Sequence, residues 1–362
     1  MRVWGASLLG LVGWSGVAGA AAPMQPDPRG LSRPDRAFDL ERLALDIVLH
    51  PDDRSLTGRG EYTLRRLFPG PLVFDQVGLD IHSVTVDGAP TEWWVDDHRL
   101  VVPLHKQDTL TLVVEWDASP DTGVHFRSAR ATDAFDEVWT QGESQDHRHW
   151  FPAVDHPGDR FEYAGSVHAP DGWKVMTNSG DDLVNYLVMF AAGQYVEHVH
   201  ADRPSVSVWV PPGTDMDAVS AVLDPVPAMM AVFAQRTGVP YPWGDYRQIF
   251  VQRFRYFGME NTGATINAQS ALVGAHLNGT RPGIERLVAH ELAHQWFGDL
   301  LTCRSWQELW LNEGFARFME AEWFREAYGP EALAELVLWW QGRAKGSAPL
   351  AGRFHQAGRR AM

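Results

Sequence analysis

The sequence predicts an α+β fold, an antiparallel β-rich N-terminal domain followed by a helical one. Alternation of apolar and polar residues between about Phe38 and Trp209, as in 43–49, 108–116 and 161–168, marks short strands separated by Asp, Gly and Pro turns. After residues 204–215, which contain Pro211-Pro212-Gly213, the period becomes helical. A length of 362 residues is also more than one small core absorbs. The expected division is a leader at 1–22, a β-rich domain at 23–212 and a second domain at 213–362.

The leader rests on Arg2, an apolar stretch at 3–18 and the small residues Ala18-Gly19-Ala20-Ala21-Ala22, which offer a cleavage site. It predicts export, periplasmic or secreted. The alternative is an N-terminal membrane anchor, although the stretch is shorter than the roughly 20 residues that span a bilayer. No other segment reads as apolar for long enough. In the second domain, 219–238 is helix-like despite Pro225 and Pro227, which should end or bend a turn. Residues 246–251 read as a strand. Residues 281–297, 312–328 and 330–341 read as amphipathic helices, with Thr280 and Pro282 as start signals and Gly298 as a stop. Residues 342–362 are rich in Gly, Ala and Arg, show no period and are assigned no structure.

The single cysteine, Cys303, excludes an internal disulfide and a multi-cysteine metal site. A formal charge of −15 argues against a nucleic-acid partner, which would need a basic face.

The chemistry is concentrated at His290-Glu291-Leu292-Ala293-His294. Ligands at i and i+4 of a helix lie about 40° apart around its axis, so both imidazoles face one ion. Glu291 follows the first ligand and points toward a metal-activated water, where a general base must sit. Glu313 follows His294 after eighteen intervening residues, near the start of the next helix. It completes the two-His, one-Glu ligand set of zinc hydrolases, which leaves a coordination position open. The expected cofactor is one zinc ion per chain.

With these residues in hand, the run 285–298 around the His-Glu-x-x-His motif, followed by Trp310-Leu311-Asn312-Glu313-Gly314-Phe315-Ala316, closely resembles the M1 family of zinc aminopeptidases. Upstream, Gly258-Met259-Glu260-Asn261 resembles that family's Gly-x-Met-Glu-Asn motif, with Phe257 standing where its first glycine most often is. Thr140-Gln141-Gly142-Glu143, followed by Arg148 and by residues 151–157, looks like the family's N-terminal segment that reaches into the active site. The resemblance implies a thermolysin-like catalytic domain behind the β-rich one and a peptide substrate. It also implies that Glu260 and Glu143 bind the free α-amino group, with Gly258, Met259 and Asn261 completing the substrate-binding loop. Two such carboxylates would fix an ammonium group and set the first peptide bond over the metal. They would obstruct an endopeptidase substrate, whose chain continues past that point.

Glu320, two helical turns beyond Glu313, either orients a zinc-binding histidine or is a solvated helix residue. His147 and His149 are read as solvent-facing residues of a polar loop, and Trp93-Trp94 and Trp339-Trp340 as packing. The family's oxyanion-stabilising tyrosine lies farther beyond the third ligand than the 49 residues that follow Glu313 here. Tyr328, fifteen residues on, would sit about 22 Å along one helix and out of reach. The catalytic domain is therefore expected to be incomplete, truncated or shifted out of frame. The reading is a zinc aminopeptidase with Glu291 as general base, and the alternative is a non-catalytic remnant that binds zinc and peptide N-termini without turnover.

Overall fold

The computed structural model describes residues 36–103, 106–129, 135–272 and 282–344. The expected leader and the tail beyond 344 lie outside the described residues.

The first lobe is built on a seven-stranded sheet in the spatial order Ser179–Val184, Arg160–His168, Phe38–His50, Ser55–Arg66, Thr109–Ala118, Leu79–Val86 and Ala89–Pro90. Period-2 alternation decides which face each strand buries. In Phe38–His50, Leu43, Leu45, Ile47 and Leu49 are buried while Arg42 on the other face pairs with Glu162 at 3.1 Å. The expected antiparallel pairing holds along this sheet except at one place, where Phe38–His50 runs parallel to Arg160–His168. Tyr62 and Trp116 on the buried face donate to the carbonyl oxygens of Pro152 and Trp150, at 2.7 and 2.8 Å. These bonds tie residues 150–152 to the core of the sheet.

A four-stranded sheet, in the order Lys174–Thr177, Phe190–Gly193, Glu137–Thr140 and Val124–Arg127, carries the chain toward the second lobe. All four residues of Glu137–Thr140 are buried, and the chain leaves this strand directly into Gln141-Gly142-Glu143. A small sheet of Leu72–Asp75, Arg99–Val102 and Trp94–Asp96 flanks the first. Of the expected packing pair there, Trp93 lies partly buried against the core and Trp94 is 49% exposed.

The second lobe has a five-stranded sheet in the order Val196–Val199, Val206–Val210, Tyr246–Val251, Ala264–Ala268 and Gly258–Met259. The expected division at 212/213 cuts this sheet after its first two strands, because the parallel partner of Val206–Val210 is Tyr246–Val251. Between them run helices α1 (Met216–Leu223) and α2 (Val226–Thr237). Asp215 caps α1 by accepting from the Asp217 N–H at 2.7 Å, Pro225 stands between the two helices with Pro227 in the first turn of α2, and Gly238 ends α2 in the left-handed region. Contrary to the reading that nothing beyond the leader is apolar enough to cross a membrane, Met216–Thr237 meets that test by length and composition. Here Val219, Val222, Met229 and Phe233 of that segment pack under the sheet with Val206, Val208 and Val210. Helices α3 (Pro282–His294), α4 (Trp310–Tyr328) and α5 (Pro330–Ala344) complete the lobe.

Glu137 joins the two lobes. It is fully buried, accepting from the Gln252 N–H at 2.7 Å and from the Tyr195 hydroxyl at 2.5 Å. Burial pushes its carboxyl up to about 7, only partly offset by these bonds. The native state therefore binds more protons than the unfolded chain between the ordinary carboxyl value and pH 7, so this group makes stability fall as pH rises through that window. In Glu137→Gln, which keeps an acceptor for Gln252, unfolding free energy should gain about 3 kcal/mol on the wild type between pH 4.5 and 8. Parallel pH profiles in denaturant unfolding would refute this assignment.

Candidate metal and substrate site

Helix α3 buries Val288, Ala289, Leu292 and Ala293 against the second lobe, and this turns His290, Glu291 and His294 toward a cleft. Helix α4 brings Glu313 to them from its first turn. The two Nε2 atoms lie 3.2 Å apart, His290 Nε2 is 3.3 Å from Glu313 Oε2, and His294 Nε2 is 3.7 Å from Glu313 Oε1. Tetrahedral zinc with bonds of about 2.0–2.1 Å separates its donors by roughly 3.3 Å, so the two imidazole nitrogens and the Glu313 carboxylate fit one ion.

The protonation states fit as well. Burial pushes His290 down to about 4 and lowers His294, leaving both imidazoles neutral near pH 7. Burial pushes the Glu313 carboxyl up, but the two imidazoles beside it outweigh that and hold it at about 2. Two neutral nitrogens and one carboxylate are a zinc donor set. His294 Nδ1–H donates to the Phe297 carbonyl at 2.9 Å, leaving Nε2 free for the ion. The helix stops at His294 rather than at the expected Gly298. Gly298 instead adopts φ 145°, and a Cβ there would lie 3.1 Å from His294 Nδ1.

Glu291 is buried one residue from the first ligand, and desolvation, with Glu260 and Glu313 nearby, raises its proton affinity well above the ordinary carboxyl. Gly258 lies directly against it. A Cβ on Gly258 would fall 2.1 Å from Glu291 Oε1, so the close approach requires glycine.

The Gly258–Met259 edge strand, paired antiparallel with Ala264–Ala268, sets Glu260 beside the same cleft. Donor atoms of Glu260, Glu291 and His294 lie within 4.8 Å of one another. Burial, and then the charge of Glu313, pushes Glu260 up to about 8. Glu143 arrives from the first lobe, and burial with the charges of Glu260 and Glu313 raises it well above its ordinary value. Four carboxylates thus line one cleft of about 1100 Å³, an environment that favours cations.

Not every expected residue faces the cleft. Met259 is buried, its sulfur accepting from Gln141 Nε2 at 3.3 Å, and Asn261 Nδ2 donates to the Leu187 carbonyl at 3.2 Å. Both hold the loop rather than line the site. Gln295, adjacent to the motif and unremarked in the sequence, clamps the same loop. Its Nε2 donates to the Glu260 and Asn261 carbonyls at 3.2 and 3.3 Å, and its Oε1 accepts from the Gly263 N–H at 2.8 Å. Tyr186 also had no local signal. Its hydroxyl accepts from Asn312 Nδ2 at 3.0 Å, joining the first lobe to the residue before Glu313.

His147 corrects an expectation: it is fully buried in the short 3-10 turn His147–His149, where Nδ1 accepts from Trp150 Nε1 at 2.9 Å and burial pushes it down to about 3. Its polar neighbours concealed a turn packed on Trp150 and Phe151. His149 is partly exposed, and neither belongs to the metal cluster. Of the expected packing pair Trp339-Trp340, Trp340 packs partly buried against the second-lobe core; both line the cleft, Trp339 with 45% exposure. Glu320 is buried behind His290, 3.8 Å from Nδ1, not solvated. Tyr328 donates to Glu285 Oε2 at 2.6 Å, at the opposite end of α3 from His294.

Two lobes closing on a helix-borne pair of histidines, with a glutamate from the next helix, define a metallopeptidase-like architecture. Residues 222–348 match the peptidase family M1 domain. It is 28% identical over 306 residues to probable aminopeptidase 2 of Sulfurisphaera tokodaii, covering 78% of this chain and 39% of that protein. To aminopeptidase N of Streptomyces lividans it is 29% identical over 282 residues, covering 70% of this chain and 32% of the relative. The fold is similar to that of yeast LTA4 hydrolase solved with bestatin, with a TM-score of 0.75 at 22% identity over 86% of this chain and 53% of that one. The chain thus spans from about a third to about half of the lengths of these proteins.

Proposed function

We propose that this chain is a zinc aminopeptidase that hydrolyses the first peptide bond of peptides with a free amino terminus. The observation that carries the reading is the meeting, in one cleft, of the His290–His294–Glu313 cluster with the buried carboxylates Glu260 and Glu143. Zinc held by the first three would act as a Lewis acid on the peptide carbonyl and make water acidic near neutral pH. Glu291 takes a proton from the attacking water and returns it to the departing nitrogen. Its desolvated carboxylate suits it to that exchange. Glu260 and Glu143 hold the substrate ammonium, and the proximity of Glu260 to Glu291 sets the first peptide bond within reach. The aminopeptidase names of the relatives support the same substrate class.

The test is metal content together with turnover of an aminoacyl reporter by the purified chain. Expected are about one zinc per chain, loss of turnover on chelation and its return with added zinc. No zinc uptake would refute the reading. Zinc uptake without turnover would leave a chain that binds metal and peptide amines only.

A further inference from the structure

The two histidines of the cluster are held differently. His294 Nδ1 is fixed by the Phe297 carbonyl at 2.9 Å, whereas His290 Nδ1 is buried with no hydrogen-bond partner and faces Glu320 Oε2 at 3.8 Å. Glu320 is itself pinned: Oε1 accepts from Arg286 Nε and Oε2 from Arg317 Nη1, both at 2.7 Å, and its side chain has no exposed surface. Arg286 lies over the ring of Trp339, 4.2 Å from its centroid, so helix α5 closes the chain of contacts from the cleft wall. We infer that Arg286 and Arg317 are positioning residues for the metal site, holding Glu320 where it selects the Nδ1–H tautomer of His290, with Trp339 locking Arg286 in place. A histidine whose rear nitrogen carries the proton presents Nε2 as a lone pair, and a carboxylate behind it fixes the ring and raises its basicity. Two arginines also compensate a carboxylate that would otherwise be buried without a partner.

The inference rests on the zinc reading above, and its test separates the two. Zinc affinity of the full chain is measured by competition with a chromophoric chelator, and the cobalt-loaded form gives an absorption spectrum that reports ligand geometry. Arg286→Met should weaken zinc binding about ten- to a hundredfold and alter the cobalt spectrum, and Arg286→Lys should recover part of the loss. Circular dichroism and denaturant unfolding establish that the variants fold. Trp339→Leu, at a half-exposed site where folding is not at stake, should weaken binding about two- to fivefold. Wild-type affinity and spectrum in folded Arg286→Met, or in Trp339→Leu if the first variant does not fold, overturn the positioning role alone. Failure of the unaltered chain to take up zinc overturns it together with the reading beneath it.

Discussion

Glu291→Gln should lower aminoacyl-reporter turnover by about a hundred- to ten-thousandfold, the range lost when a positioned general base is removed. The substitution keeps the size of the side chain and removes only the capacity to take a proton. Glu291 is buried, and Gly258 leaves no room above its carboxylate, so the amide should occupy the same place. Glu291 is not one of the His290–His294–Glu313 donor set, although one of its carboxylate oxygens lies within 4.8 Å of a His294 nitrogen. Zinc content should therefore be unchanged while the rate falls, and that separation distinguishes a base from a ligand. Stability should hold or rise, because burial together with the charges of Glu260 and Glu313 opposes ionisation of Glu291 in the native state. A variant that keeps more than a tenth of the rate would remove Glu291 from the chemistry. One that loses its zinc would make Glu291 part of the ligand cage.

The metal cluster was legible because its geometry is local. Two histidines at i and i+4 must share a helix face, and a glutamate in the first turn of the next helix is brought back by a short connection. The helices of the second lobe were legible for a similar reason: Pro225, Pro227, Gly238 and Pro330 punctuate a 3.6-residue period. What depended on distant partners was not. Nothing in residues 38–50 signals that they run parallel to residues more than a hundred positions later. Val206–Val210 looked like the last strand of the first domain because its sheet partner follows two intervening helices. The Gly258–Asn261 segment was recognised as a unit, yet which of its side chains face the cleft depends on its being an edge strand beside α3. There Glu260 looks inward, while Met259 and Asn261 reach to Gln141 and Leu187. Arg286 and Arg317 carry no local signal and Trp339 reads as packing; only the meeting of three helices sets both arginines on Glu320 and Trp339 over Arg286.

Glu260→Gln tests the half of the site that makes the proposed enzyme an aminopeptidase rather than a general peptidase. A buried carboxylate holding an ammonium group makes a charge-assisted bond, and losing one partner of such a pair costs about 2–5 kcal/mol. For a substrate with a free amino terminus, kcat/KM should fall by roughly thirtyfold to several thousandfold. The loss should be smaller than the single-charge limit where Glu143 still faces the same cleft, and larger in the Glu143→Gln, Glu260→Gln double variant. An N-acetylated reporter carries no ammonium and should be cleaved equally slowly by both proteins, so the ratio of the two substrates collapses. The loop should survive, because Gln295 holds it through the Glu260 and Asn261 backbone carbonyls rather than through the side chain. Zinc content should stay unchanged, since Glu260 approaches His294 only at Nδ1, 3.9 Å away on the side remote from the ion. If the free-amine and acetylated reporters lose rate in equal proportion, Glu260 supports the site as a whole, and recognition of the amino terminus must be sought in Glu143 alone.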